Sequence, residues 1–169
     1  LSEAQEIAKS LMGMFLYDTV VDTIVCLEGT QVIGSFLAQE LTGAGVLSMN
    51  AHKTIYIVTP EYNSNSQMVF KENILPMIRG KNVILLTASV TTGLALNKGI
   101  ESVLYYGGVL RGITAIFSAL DEINGHKITS IFNKRDVPEY AFYDYRDCPF
   151  CKQGRKLEAL VNSYGYTSL

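Results

Sequence analysis

Apolar residues follow two spacings along this chain, and the two spacings alternate. Short continuous apolar runs that are rich in β-branched residues are typical of buried strands. They lie at residues 23–27, 53–59, 83–86 and 113–118. Between them, apolar residues recur every three or four positions, as on one face of a helix, at residues 2–15, 31–41 and 96–104. Strands that alternate with helices predict an α/β fold, with a mainly parallel sheet flanked by helices.

The connecting segments and the last third of the chain are less regular. Residues 61–67 are polar and turn-prone and predict an exposed, mobile loop, while Pro76 prevents one regular helix across residues 68–79. Beyond residue 120 we expect two short strands near an edge of the sheet, for which an antiparallel arrangement is one option, and a final helix. These elements are assigned to residues 128–132, 140–143 and 152–162.

The composition fits one compact domain. Of the 169 residues, 48% are hydrophobic and 18% are charged, which is enough apolar side chain to bury a core. We therefore expect a single domain over residues 1–169, with its core at about residues 20–120. The edge strands, a Cys-x-x-Cys motif and the final helix belong to residues 128–169.

Charge and hydropathy argue against several classes of partner. The net charge of −2 carries no basic excess, so neither nucleic acid nor a membrane surface is expected as a partner. No apolar run reaches transmembrane length and no signal peptide is visible, which favours a cytoplasmic protein. The chain begins at Leu1 rather than Met, which leaves room for a preceding segment.

The most informative stretch joins the third apolar run to the helix after it. The run is followed by Thr87, Ala88, Ser89, Val90, Thr91, Thr92, Gly93, Leu94 and Ala95. A helix N-terminus directly after a buried strand presents unpaired backbone N–H groups and the positive end of the helix dipole, which suit a phosphate. The glycine lets the backbone approach a ligand closely. An ordinary turn between a strand and a helix uses the same residues, so the spacing alone leaves both interpretations open.

A second strand, tight turn and helix follow the same plan at residues 23–41. The turn is Glu28-Gly29-Thr30. Because ligands of parallel sheets bind outside the carboxyl ends of the strands, the two turns are expected to converge on one cleft. A single glycine between a strand and a helix is common, however, and Glu28 is an awkward neighbour for an anion. An ordinary turn is therefore the alternative here.

Residues 83–95 resemble the PRPP-binding motif of the type I phosphoribosyltransferases. In that motif a hydrophobic strand precedes two acidic residues and a loop that ends Thr-Thr-Gly-x-Thr. Thr91, Thr92 and Gly93 match it, whereas Ala95 stands in place of the last threonine. In layout the core of the chain resembles the orotate phosphoribosyltransferases, which implies a Rossmann-like fold.

The resemblance implies a site for PRPP. Ser89 to Ala95 would hold its phosphate, and the turn Glu28-Gly29-Thr30 would hold its pyrophosphate. Mg²⁺ would be the cofactor of an active enzyme, and an orotate-like or purine base would accept the phosphoribosyl group. A homodimer is the arrangement typical of the family.

Two elements that the resemblance predicts are absent. Thr87 and Ala88 occupy the positions of the acidic pair, which holds the ribose hydroxyls and helps to place Mg²⁺. Losing two hydrogen bonds to charged groups would cost about 3–6 kcal/mol, or roughly 10²–10⁴ in affinity. Residues 61–67 also lack the lysines and the histidine of the orotate enzymes, so no catalytic residue is assigned. Glu61 and Asp144 are candidates for replacement acids.

The motif Cys148-Pro149-Phe150-Cys151 resembles a glutaredoxin active site. Lys152 and Arg155, close in sequence, would lower the pKa of a thiol there. A structural or incidental pair, a metal shared across a dimer and a redox site are the three interpretations.

A metal site within one chain is not expected. Zinc takes four ligands, and Cys148 and Cys151 supply two. Cys26 lies on an apolar strand and is assigned to the core, while His52 and His126 are isolated in the sequence.

Three functions therefore remain open. The first is a phosphoribosyltransferase with altered chemistry. The second is a non-catalytic relative that binds a phosphorylated nucleotide or sugar without Mg²⁺ and acts as a regulator. The third is a metal or redox module that uses Cys148 and Cys151.

Overall fold

A computed structural model describes residues 1–14, 19–45, 48–51, 53–144, 146–162 and 165–169 of the chain. The helices are α1 (Ser2–Met12), α2 (Gln31–Gly43), α3 (Leu94–Tyr105) and α4 (Pro149–Lys152). Residue 15, the end of the first predicted helix, and His52 lie outside the described part. Within that part, no helix is both long enough and apolar enough to cross a membrane.

Six strands form one sheet in the order β2-β1-β5-β6-β8-β7. The strands are β1 (Thr23–Cys26), β2 (Tyr56–Val58), β5 (Asn82–Val90), β6 (Val109–Ser118), β7 (Glu122–Ile123) and β8 (His126–Asn133). All neighbours are parallel except β7 and β8, which are antiparallel. This confirms the predicted α/β fold with a mainly parallel sheet and flanking helices.

The central strand β5 is buried on both faces. Ile84 packs on one side with Leu11 of α1 and Leu37 of α2, whereas Leu85 packs on the other side with Ile100 of α3. Because successive side chains of a strand point to opposite faces, a strand covered on both sides is a continuous apolar run. The run that the sequence displays at residues 83–86 has this origin.

Helix α3 presents most of its predicted face to the core. Leu96, Ile100 and Val103 are buried, as their spacing predicts. Leu104 is exposed, although the same spacing placed it on the inner face. The helix ends one residue later, at Tyr105.

The lengths of two strands differ from the prediction. β5 continues four residues beyond the apolar run, because Ser89 and Val90 still pair with Phe117 and Ser118 of β6. Backbone pairing needs no apolar side chain, so the pattern underestimates the strand. Conversely, β2 is shorter than the predicted strand at residues 53–59 and spans Tyr56–Val58 only.

The segment predicted as a mobile loop at residues 61–67 belongs to a small hairpin. β3 (Glu61–Tyr62) pairs antiparallel with β4 (Met68–Val69). The side chain of Asn63 accepts hydrogen bonds from the backbone N–H groups of Asn65 and Gln67, which fixes the turn. Further along, a 3₁₀ turn at Leu75–Met77 replaces a regular helix, as Pro76 predicts.

Of the three predictions for the end of the chain, one is confirmed and two are wrong. β8 contains the strand predicted at residues 128–132, and it lies parallel to β6 on one side and antiparallel to the edge strand β7 on the other. Residues 140–143 form no strand. The predicted helix at 152–162 is replaced by the end of α4 and by a hairpin of β9 (Ala159–Asn162) and β10 (Gly165–Ser168). No described residue after Ile128 is buried. No core therefore selects between the helical and the strand spacing of apolar residues in this segment.

Candidate functional site at the carboxyl edge of the sheet

The turn between β5 and α3 depends on its glycine. Gly93 has a φ of 77°, in the left-handed region, and directly precedes the first turn of α3. A Cβ atom there would lie 2.6 Å from Ile123 Cδ1, so a side chain would clash as well as strain the backbone. Gly93 has no side chain to cap α3. The first N–H groups of the helix therefore have no partner within it, and the positive end of its dipole lies at the turn.

The turn after β1 uses two consecutive left-handed residues, Glu28 at φ 53° and Gly29 at φ 79°. Thr30 follows and is buried. Its Oγ1 lies 2.8 Å from the carbonyl oxygen of Leu27 and 3.2 Å from that of Leu86. Thr30 therefore ties the turn to β5, and its hydroxyl is engaged by the main chain.

The two turns meet at one cavity of about 210 Å³. Its lining comprises Glu28, Thr87, Ser89, Val90, Thr91, Thr92, Gly93, Leu94, Ala95 and Leu96. Glu28 of the first turn and every residue predicted for the phosphate loop therefore line the same cavity, and their binding of phosphate stays a prediction. Ala88, Gly29 and Thr30, which the sequence also singled out, are outside the lining.

A contact across the cavity joins the two turns. The hydroxyl of Thr87 donates a hydrogen bond of 3.0 Å to Oε2 of Glu28. Tyr62 of the small hairpin lies near the same carboxylate: burial raises its pKa above the usual value, and the negative charge of Glu28 raises it further. The turn after β1 therefore places a carboxylate beside the hydroxyl of Thr87.

The replacement acids suggested by the sequence are elsewhere. Glu61 forms a salt bridge with Lys71 at 2.6 Å, and neither residue lines the cavity. Asp144 pairs with Arg146 in the exposed segment that follows the sheet. The sequence analysis assigns Glu28 to the pyrophosphate turn but does not predict its contact with Thr87, which lies 59 residues further along the chain.

Metal ligands at this cavity are few. The protein offers the carboxylate of Glu28 and the hydroxyl of Thr87. The described residues contain no group of three His, Cys, Asp or Glu side chains that would hold an ion by themselves. Mg²⁺ in phosphate sites typically takes one or two protein carboxylates and completes its shell with phosphate oxygens and water. The donors present therefore fit a Mg²⁺ that arrives with a diphosphate.

A second cavity opens at the same edge of the sheet, where β6 and β8 end. It has a volume of about 240 Å³, and Ser118, Asp121, Asn133, Lys134 and Arg135 contribute to its lining. The backbone N–H of Arg135 donates to Oδ1 of Asn133 at 2.8 Å, which holds the turn after β8. Two cationic side chains thus lie beside the end of the strand next to β5, and the sequence analysis did not identify them.

No protein-family model and no curated protein sequence matches this chain. Solved structures do match. The orotate phosphoribosyltransferase of Mycobacterium tuberculosis H37Rv in complex with PRPP is 13% identical with a TM-score of 0.55, and the alignment covers 79% of this chain and 75% of that one. A hypoxanthine phosphoribosyltransferase from Staphylococcus aureus is 15% identical with a TM-score of 0.54, over 86% and 82% of the two chains. The adenine phosphoribosyltransferase of Thermoanaerobacter pseudethanolicus is 16% identical with a TM-score of 0.52, over 78% and 81%.

These three structures share one fold and are named for three different bases. At identities this low the likeness concerns the fold. The chain therefore has the fold of the type I phosphoribosyltransferases, as the resemblance in its sequence predicts.

Proposed function

We propose that this protein binds PRPP at the cavity between β1 and β5 and transfers its phosphoribosyl group to a nitrogenous base. The observation that carries the proposal is the convergence of the Thr91–Leu96 turn and the Glu28 carboxylate on one cavity at the carboxyl edge of the sheet. The fold shared with a PRPP-bound orotate phosphoribosyltransferase supports it.

The phosphate monoester of the ligand would lie against the first turn of α3. There the backbone N–H groups point out of the helix, and the dipole adds partial positive charge. The hydroxyls of Thr91 and Thr92 lie in the same lining and are suitable donors. This part of the site depends mostly on the backbone, so the substitution of Ala95 for threonine removes one donor and leaves the rest.

Glu28 takes the role that the absent acidic pair would have for the ribose hydroxyls. One charge-assisted hydrogen bond is worth about 1.5–3 kcal/mol, so one carboxylate in place of two leaves binding weaker by roughly 10–10². Thr87 orients the carboxylate by donating to Oε2. Mg²⁺, when bound with the diphosphate, would supply the positive charge that stabilises the leaving group.

The same carboxylate sets the ionic requirement of the site. A diphosphate beside the Glu28 carboxylate would be repelled, because both are negatively charged. A cation between them converts the repulsion into attraction. PRPP binding is therefore expected to depend on Mg²⁺, whereas the binding of a monophosphate at α3 is not.

The acceptor would lie toward the second cavity, at the ends of β6 and β8. Lys134 and Arg135 favour an acceptor that carries a negative charge, such as orotate, over a neutral purine. The nitrogen of the base would attack the carbon of the ribose that bears the diphosphate, and the bond to the diphosphate would break as the new bond forms.

A second function, a non-catalytic regulator that binds nucleotides, is favoured by one specific observation. Ala88 has no polar side chain and Thr87 already donates to Glu28, so the ribose site is poorer than the phosphate site. Such a protein would bind monophosphates without any effect of Mg²⁺. A cytoplasmic homodimer remains a prediction under both functions, and light scattering during gel filtration would test the dimer.

Titration calorimetry with PRPP, ribose 5-phosphate and a nucleoside monophosphate, each with and without Mg²⁺, tests the proposal. We expect micromolar PRPP binding only with Mg²⁺, weakened about tenfold or more by Glu28→Gln. Glu61→Gln, on the exposed hairpin, is the matched control and should change nothing. A transferase assay with orotate and hypoxanthine follows.

The outcomes separate the functions. Monophosphate binding that Mg²⁺ does not affect, with no transfer to either base, would support the regulator. If none of the three ligands bound, both proposed functions would be contradicted, and only the assignment of the fold would stand.

A further inference from the structure

Two thiols lie together in the part of the chain that follows the sheet. Cys148 is half-buried and Cys151 is exposed, and both are free. Cys148 directly precedes the short helix α4, and its sulfur accepts a hydrogen bond of 3.4 Å from the backbone N–H of Cys151. Neither cysteine lines the cavity at β1 and β5. The pair therefore has no part in the proposed transferase site.

The contacts of the two thiols are unequal. The backbone N–H of Cys151 and the Cys151 thiol both donate to Cys148, with a smaller contribution from the charge of Lys152, and together they lower the pKa of the Cys148 thiol. The same thiol–thiol hydrogen bond raises the pKa of Cys151. Cys148 is therefore the better nucleophile, and Cys151 keeps its proton beside it.

The donor set argues against a metal held by one chain. A structural zinc site needs four ligands. Among the described residues, no third His, Cys, Asp or Glu side chain joins the pair in a cluster of three. A disulfide needs only these two sulfurs, at a bond length of about 2.0 Å. The 3.4 Å contact from the backbone N–H of Cys151 to the Cys148 sulfur already brings the two residues together.

The surroundings suit a small anionic partner. The guanidinium of Arg155 lies 5.3 Å from the centre of the Phe150 ring, which holds this cation beside the short helix. Tyr143 packs edge-on against the same ring at 5.8 Å. Lys152 is exposed directly after Cys151. The two cations flank thiols that solvent can reach.

We propose that Cys148 and Cys151 form a dithiol site that exchanges with the disulfide of a small, carboxylate-bearing thiol. The Cys148 thiolate attacks one sulfur of that disulfide, whose S–S bond breaks, and the departing thiolate takes a proton from water. Cys151 then loses its proton and attacks the Cys148 sulfur, so that the mixed disulfide breaks and the second small thiol leaves. Two protein thiols are thereby oxidised to one disulfide, and one small disulfide is reduced to two thiols.

The test treats the full chain with cystine and, separately, with oxidised glutathione, quenches with an alkylating agent and follows the mass. The native protein should lose two alkylatable thiols, with the disulfide located between Cys148 and Cys151. Cys151→Ser should stop at a mixed disulfide on Cys148. Cys148→Ser should react at least about tenfold more slowly, because the thiol that remains has the raised pKa.

Cys26 provides the matched control within the same chain. It is fully buried, and burial raises the pKa of its thiol to about 12. Cys26→Ala should therefore leave the exchange unchanged. Both serine variants replace side chains outside the core, and equal urea midpoints would show that they fold.

Three results would overturn the proposal. Equal rates for Cys148→Ser and Cys151→Ser would remove the distinct roles of the two thiols. Absence of exchange with both disulfides in a folded protein would remove the activity. One zinc ion per two chains, with both thiols protected until the metal is chelated, would identify a shared metal site instead.

Discussion

The sheet region, residues 19–133, and the segment after it, residues 134–169, follow different rules in the same chain. In the sheet, β5 is buried from Val83 to Thr87, and its four apolar residues Val83–Leu86 belong to the two core clusters. In the later segment no described residue is buried, and the hairpin of β9 and β10 exposes nearly all its side chains. The spacing of apolar residues therefore predicts the secondary structure of the first region but not that of the second.

The cysteines illustrate the same contrast in chemistry. Burial raises the pKa of Cys26 in β1 to about 12, so its thiol is inert. Backbone and thiol donors lower the pKa of Cys148 in the exposed segment. One residue type is a core side chain in the first region and a candidate nucleophile in the second. Stability resides in the sheet, and the reactive thiols lie outside it.

The largest expected difference concerns leucines of the two regions. Leu85→Ala should lower the free energy of unfolding by about 2–5 kcal/mol, because it leaves a cavity between the sheet and α3. Leu160→Ala, at a residue that is 57% exposed in β9, should change it by less than about 0.5 kcal/mol. Urea unfolding of both variants measures this. A large loss for Leu160→Ala would mean that the hairpin is covered in solution.

Glycines in the left-handed region provide a second pair. Gly93→Ala and Gly154→Ala both introduce backbone strain of about 1–2 kcal/mol, since φ is 77° and 70°. Only Gly93→Ala also forces a Cβ to within 2.6 Å of Ile123 Cδ1. We expect Gly93→Ala to cost clearly more stability and to weaken ribose 5-phosphate binding, measured by urea unfolding and calorimetry. Equal losses for both variants would show that Ile123 moves aside.

Acid stability should distinguish two carboxylates. Burial alone would raise the pKa of Asp22, but hydrogen bonds from the backbone and side chain of Asn82, with Lys53 and Lys81 nearby, lower it overall. A pKa that is lower in the folded state stabilises the protein above the unfolded value of 3.8, and this contribution is lost as the pH falls through the folded value.

Asp22→Asn should therefore reduce stability at neutral pH and cost progressively less below about pH 4. The side-chain hydrogen bond of Arg146 likewise lowers the pKa of Asp144, but that pair is exposed and screened by water. Asp144→Asn should leave the decrease in stability at acidic pH unchanged. Urea midpoints between pH 2 and 7 measure both variants. If only Asp144→Asn made the midpoint less dependent on acidic pH, Asp144 rather than Asp22 would be the stabilising carboxylate.

The smallest effect concerns two threonines on strands. The hydroxyl of Thr114 in β6 is buried and has no hydrogen-bond partner among the described residues. Thr114→Val keeps the shape and removes this polar atom, so stability should rise by up to about 1 kcal/mol. Thr167→Val, in the exposed strand β10, should change it by less than about 0.5 kcal/mol. A loss of stability in Thr114→Val would show that a water molecule satisfies the hydroxyl.

The sequence by itself determined the parallel sheet and the turn between β5 and α3. A strand buried on both faces must be apolar throughout, and the turn before α3 needs a residue that tolerates a φ of 77°, so both leave local signals at residues 83–86 and at Gly93. The convergence of two turns followed from the rule that parallel strands end at one edge.

The tertiary structure alone decided which groups meet at that edge of the sheet and which secondary structure the segment after the sheet adopts. Glu28 and Thr87 are 59 residues apart, and no local pattern encodes their hydrogen bond. In the segment after the sheet, Leu157, Leu160 and Val161 have a helical spacing, yet Leu160 and Val161 belong to the strand β9 and Leu157 precedes it. Periodicity predicts structure because a core selects one face of an element, and where nothing is buried that selection is absent.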